Sequence, residues 1–312
     1  KEQIALSDYA FSQPEPNSRK KLKLTETDAR LAVQGPGFVA EFDRRSGALA
    51  KLAYKGQSLL QEPLRPNFWR APTDNDFGYR MPQTHAVWKQ ATEYQVLDSL
   101  DAATLADGAV RVTARYKLPS ILARLTIDYT ISGDGAILVR NQLSNVSDSL
   151  PDLPRFGNTF VLAREFANAN WYGRGPHENY SDRKTASLIG NYSSSVADLL
   201  YPYARPQENG YRTDTRWLRL VNDKGRGIEI RAVDEAFGFN ARHQYDSDFD
   251  PGLYKAQRHL TDIFERPLVS VNIDHAQMGV GGDTSWGQRP HKQYLIAPGD
   301  HAYSYLISPV GF

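Results

Sequence analysis

The sequence has 312 residues, 40% of them hydrophobic and 23% charged, and 37 basic against 36 acidic residues leave a net charge of +1. Spread without long runs of one sign, that balance gives no electrostatic reason to bind nucleic acid or an anionic membrane surface, and no apolar run approaches the roughly 18 residues that span a bilayer. The lack of cysteine excludes disulfides and thiolate metal centres and leaves the compartment open between cytoplasm and periplasm. The chain starts at Lys1 with neither an initiator Met nor a signal-peptide pattern, so a piece of a longer protein is expected.

Residues 2–11 (EQIALSDYAF) have the character of a strand, and residues 12–18 (SQPEPNS), with two prolines among small polar residues, that of an extended linker. A boundary is expected near residue 20, with 1–20 the end of a preceding domain and 21–312 one large domain. The basic cluster Arg19, Lys20, Lys21 and Lys23 falls in this polar stretch and is expected to be solvated.

Beyond it, strand follows strand. Residues 37–43 (GFVAEFD) alternate, 45–47 turn the chain, and 48–54 (ALAKLAY) alternate again. Residues 85–94 predict one short helix. Segments 110–117 and 122–131 have period-two spacing, 132–135 (SGDG) is a turn, and 136–143 returns. Residues 196–201 predict one or two helical turns. Segments 215–221 and 228–233 flank the loop 223–227 (DKGRG) as a hairpin, 253–260 predicts another helical turn or two, and 269–273 and 293–296 close the set of strands. Strands joined by short turns pair antiparallel, and this many of them stack as two sheets. The expected fold class is all-β, a large antiparallel sandwich.

Four connections rich in Trp, Asn, Asp and Gly interrupt this pattern, and loops of that kind on a rigid scaffold commonly carry binding residues. A sugar needs planar donors and acceptors for its hydroxyls and an aromatic face for its C–H side. The first, 67–78 (NFWRAPTDNDFG), offers Arg70, Asp74, Asn75 and Asp76, with Gly78 as a hinge, or else an Asx-rich turn that satisfies its own backbone. The second, 171–183 (WYGRGPHENYSDR), offers His177, Glu178 and Asn179, or else Arg174 and Arg183 paired with Glu178 and Asp182 to stiffen a long loop. In the third, 201–210 (YPYARPQENG), Asn209-Gly210 is a turn signal beside Glu208. The fourth is Asn272-Ile273-Asp274 and then 278–287 (MGVGGDTSWG), in which glycines before Asp283 display Trp286 as a stacking platform. Asp74, Asp76, Glu178, Asp182 and Asp283 are all oxygen ligands, but their spacing makes no cage, so no metal is assigned.

Together the strings FWRAPTDNDFG, WYGRGPHENYSDR, YPYARPQENG and NID…MGVGGDTSW, in this order, resemble the C-terminal, small-chain-type domain of lactose-operon-type β-galactosidases in glycoside hydrolase family two. The resemblance runs from about residue 30 to the end. It implies a supersandwich of the galactose mutarotase kind, packed in the intact enzyme against a TIM-barrel domain, with residues 1–20 ending an immunoglobulin-like domain. It implies that Trp286 stacks on the sugar, that the RAPTDND loop lies at the mouth of the site, and that Gly78 belongs to a mobile loop. Retaining hydrolysis of terminal β-D-galactosides needs two carboxylates roughly 5–5.5 Å apart. By the same resemblance these lie in the barrel, with the magnesium and sodium ligands, so no catalytic residue and no cofactor is expected in this chain, and the isolated chain is expected to be inactive. A homo-oligomer is implied for the intact enzyme. Two other readings stay open: a stand-alone carbohydrate-binding module, and an aldose 1-epimerase (mutarotase), for which His177 with Glu208 or Glu178 would be the acid–base set.

Overall fold

The computed structural model describes Phe11 and residues 20–284 and 286–312. The strand expected over 2–11, the linker after it and the boundary near 20 therefore lie almost wholly outside the described residues.

Among the described residues, two antiparallel sheets make the sandwich. The first, in spatial order, is Lys23–Glu26, Arg30–Gly35, Phe38–Asp43, Leu49–Tyr54, Leu60–Asn67, Arg155–Ala163, Leu268–Gln277, Phe237–Arg242 and Arg212–Thr215, with Gln57–Ser58 paired to Leu49–Tyr54. The second is Leu188–Ser195, Asn168–Gly175, Trp217–Val221, Gly227–Ala232, His301–Val310, Ile137–Ser144, Ala123–Ile131, Val110–Leu118 and Val96–Thr104. Alternation explains the clearest of these: in Ala123–Ile131 the buried positions Leu125, Ile127, Tyr129 and Ile131 fall every second residue. Tyr129 meets Phe42 of the other sheet edge-on at 4.9 Å. Farther along the same core, Tyr305 and Tyr303 donate to Asn158 Oδ1 at 2.7 and 3.0 Å, so the sheets are also joined by hydrogen bonds.

The short helix falls where expected, at Ala86–Glu93, and turns Trp88 and Ala91 into the core. No helix among the described residues is long and apolar enough to cross a membrane. Three expectations are corrected. Residues 253–259 hold no helix, and a 3-10 turn follows at Leu260–Asp262, because the apolar side chains there have no core to face: Leu253 and Tyr254 are exposed. Residues 293–296 are not a strand but the 3-10 turn Lys292–Tyr294 followed by a single bridge from Ile296 to Leu153. Residues 171–175 belong to the strand Asn168–Gly175, not to a loop, and Trp171 is core, packed on Phe239 and Tyr192.

Candidate functional site

The first of the four segments is not an open loop at its end. Thr73 caps the short helix Asp74–Gly78: its Oγ1 accepts from Asp76 N at 3.3 Å, while Asp76 Oδ2 accepts from Thr73 N at 2.7 Å. Arg70 and Asp76, both fully buried, form a two-pronged pair at 2.5 and 3.1 Å. Arg70 Nη2 also donates to Gly279 O at 3.3 Å, so the pair that holds the helix also holds the start of the glycine-rich loop.

Asn75 makes the second tie. Its Nδ2 donates to Gln288 O at 2.7 Å and its Oδ1 accepts from Gly287 N at 3.1 Å. There the backbones touch: a Cβ on Gly78 would lie 2.3 Å from Gly287 Cα, and Gly287 itself has φ +91°. Both positions thus need glycine. The consequence is Trp286, held one residue away on a pinned backbone and 90% exposed. On the two segments joined here, Asp74 faces Lys255 Nζ at 3.1 Å and Arg205 at 3.4 Å, and Asp283 Oδ1 is 2.8 Å from His291 Nε2. An exposed indole is an apolar face of the kind on which the C–H side of a pyranose can lie.

The structure thus brings Asn75 and Gly78 against the backbone next to Trp286, with Asp74 and Asp283 on the same two segments. It withdraws the others, His177 excepted, from the open surface. Arg70 and Asp76 brace the helix from beneath. Glu178 accepts from Arg183 at 2.6 Å, from Gly210 N at 2.7 Å and from the Tyr203 hydroxyl, so it rigidifies the turn. Asn179 Oδ1 accepts from Thr213 N and Oγ1 at 2.9 and 2.6 Å. Asn209 is buried and donates to Gln207 O at 3.0 Å. His177 is exposed, but it lines a separate hollow with Asp198, Tyr201 and Arg212. His177 and Glu208 do not converge as an acid–base pair would: Glu208 is fully buried and accepts from Asn240 Nδ2 at 3.1 Å. Of the pairs expected in the second segment, Arg183–Glu178 is present, whereas Arg174 pairs with Asp214 at 2.5 Å.

Sequence reasoning missed the network that Glu208 belongs to. Arg155 is its hub: Nη1 reaches Asp246 at 2.9 Å, Nε is 3.1 Å from Asp274, Nη2 is 3.6 Å from Glu208 and donates to Gln277 at 2.8 Å. Arg242 adds contacts to Asp246 and Glu208. Burial raises the Glu208 carboxyl against the pull of Arg242 and Arg155. It pushes Asp274 up to about 8 despite Arg155. Asp246 goes the other way: burial opposes its charge, but Arg242, Arg155 and the Asn272 amide outweigh it and hold the carboxyl low. A signal was present: Asn240 and Arg242, and Asn272 and Asp274, repeat every second residue on neighbouring strands, which puts polar groups on one sheet face.

The five oxygen ligands named from sequence do not gather, and each is engaged: Asp74 by Lys255 and Arg205, Asp76 by Arg70, Glu178 by Arg183, Asp182 by Gly281 N, Asp283 by His291. Among the described residues no group of three or more His, Asp or Glu is placed to hold a metal ion.

The chain is 33% identical over 310 residues to a β-galactosidase of Priestia megaterium, a match that covers 99% of the chain and 29% of that protein. It is 32% identical over 290 residues to a β-galactosidase of Halalkalibacterium halodurans, covering 91% of the chain and 28% of the relative. Less than a third of these relatives' length is therefore represented here. Among solved structures, a galactose 1-epimerase of Lactobacillus acidophilus superposes with a TM-score of 0.49 at 8% identity, over 95% of this chain and 100% of the other. The "Beta galactosidase small chain" family matches residues 34–307, nearly the whole sandwich, and the chain belongs to that family.

Proposed function

We propose that this chain is the part of a β-galactosidase that completes the galactoside site without supplying the catalytic carboxylates. The observation that carries the reading is Trp286, exposed on a backbone that Asn75 and the paired glycines 78 and 287 hold in place. Its indole supplies the face on which the C–H side of a pyranose lies, and Asp74 and Asp283, on the two segments joined beside it, supply acceptors. Contacts of this kind orient the sugar; bond cleavage belongs to groups outside the chain. The relatives' additional length would hold those groups, the retaining pair of carboxylates and the magnesium and sodium sites, probed best in the full-length enzyme.

The pure chain is expected to release no nitrophenol from nitrophenyl β-galactoside, and turnover by the chain alone would overturn the assignment. In the full-length enzyme, Trp286→Ala is expected to raise KM for galactosides about tenfold, the equivalent of ~1.4 kcal/mol. An unchanged KM would remove Trp286 from the site.

A further inference from the structure

A hollow of about 530 Å³ opens on the sheet face that carries the Arg155 network, with Asp246 common to both. Its volume lies within the range of about 300–1,000 Å³ usual for small-ligand sites. Val161 and Ser270, partners across Arg155–Ala163 and Leu268–Gln277, lie in it, and Ser270 shares its face with Asn272 and Asp274 by alternation. Trp69, Lys89 and Gln95 reach it from one stretch of chain, and Ser247 and Asp250 from the short helix after Phe237–Arg242 and the residue that ends it. None of Asn75, Gly78 and Gly287, which hold the backbone at Trp286, lines it.

Most charges around the hollow answer one another. Asp250 Oδ2 accepts from Trp69 Nε1 at 2.9 Å and from Lys89 Nζ at 2.7 Å, and its Oδ1 accepts from Gly252 N at 2.8 Å. Asp246 is held by Arg155 and Arg242, and Glu62 by Arg65 and the Tyr245 hydroxyl. Glu93 stands exposed to water. An ionic ligand would have to break one of these pairs, and among the described residues no group of three or more His, Asp or Glu is placed to hold a metal ion. Gln95 differs: its Nε2 donates to Thr92 O at 3.5 Å, while its Oε1, shielded from solvent, has no hydrogen-bond partner. A shielded acceptor left unpaired is costly, and a ligand hydroxyl would satisfy it. The Ser247 and Ser270 hydroxyls add donors and acceptors, and Trp69 and Val161 add apolar surface. Paired charges, an open amide oxygen, hydroxyls and an indole together suit a neutral molecule with hydroxyl groups on a C–H frame.

We propose that this hollow is a carbohydrate site separate from Trp286, taking a neutral hexose through Gln95, Ser247 and Ser270 beside Trp69. The inference goes beyond the galactoside reading and does not rest on it. The test titrates galactose and glucose into the full-length enzyme carrying Trp286→Ala, which disables the other sugar site, with binding followed by saturation-transfer NMR. Saturable binding is expected to remain. Adding Gln95→Ala should weaken it about fivefold, the loss of one neutral hydrogen bond. Adding Ser247→Trp, an exposed position at which an indole fills the hollow, should abolish it. Melting temperatures are compared with the parent, and Gln95→Ala decides alone if Ser247→Trp melts early. No saturable binding in Trp286→Ala, or binding that neither added substitution weakens, would overturn the site. So would binding by the pure chain that is absent from the full-length enzyme, since the hollow would then be covered by the additional length of the relatives. An unchanged KM in Trp286→Ala would sink the galactoside reading and leave this site standing.

Discussion

Two polar regions of this molecule use the same residue types to opposite ends. Around Arg155, guanidinium and carboxylate groups are buried and face one another. Around Trp286, carboxylates and an indole face solvent on a loop pinned by Arg70 and Asn75. Asp, Asn, Glu and Arg in a Gly-rich context therefore do not by themselves mark a site. What separates the regions is whether the side chains are enclosed over the sheet face, as those around Arg155 are, or left at the surface on a loop.

The contrast breaks first at Arg155. Removing one partner of a buried charge set leaves the rest unpaired and typically costs about 3–5 kcal/mol. Arg155→Leu would take the guanidinium from Asp274 and leave Asp246 and Glu208 to Arg242 alone. It is expected to lower unfolding stability by about that amount in urea denaturation. A loss under about 1 kcal/mol, the range of exposed pairs, would show that the network is not a structural element.

A smaller effect should appear with pH. Asp274, pushed up to about 8 by burial, keeps its proton in the folded state across pH values at which the unfolded chain has lost it. Folded protein then binds more protons than unfolded protein, so stability falls as pH rises toward 8 and levels off above it. Glu208, also raised, acts in the same sense. His85, lowered to about 4 by burial, acts oppositely, but only between its folded value and the ordinary histidine value near 6.5. The clean window is therefore about pH 7 to 8, where one fully linked proton gives a slope of about 1.4 kcal/mol per unit as an upper limit. Asp274→Asn should flatten that slope in denaturation curves; a wild-type slope that survives the substitution would assign it elsewhere.

The same division explains what could be read in the amino acids alone. Val110–Leu118 and Ala123–Ile131 bury one face and expose the other, so period two is written in them. Arg155–Ala163 is buried on both faces and carries Arg155, Gly157, Asn158 and Thr159, so it shows no alternation and its apolar run is confined to the last four residues. Leu60–Asn67 holds Pro63 and Pro66, which argue against a strand. It tolerates them because its pairing is irregular, with one partnered position toward Leu49–Tyr54 and register shifts against Arg155–Ala163. Near the candidate site, Trp286 was legible because three nearby glycines leave an indole no core to enter. Trp171 was misread because Gly173 and Gly175 beside it signal a turn, whereas Gly173 serves close packing: a Cβ there would sit 2.8 Å from Thr215 Cα.

The finest test of the contrast asks for almost no change. Trp286 is the most exposed of the large apolar side chains described, so Trp286→Ala removes little packing. Surface substitutions of this kind usually stay within about 0.5 kcal/mol. Urea denaturation of the variant is expected to overlay the parent within that margin, while its KM for galactosides rises. A larger loss of stability would mean that the indole packs against something in solution, and the loop would then belong with the Arg155 network as structure. A matching curve with a raised KM would separate the two regions by function as well as by burial.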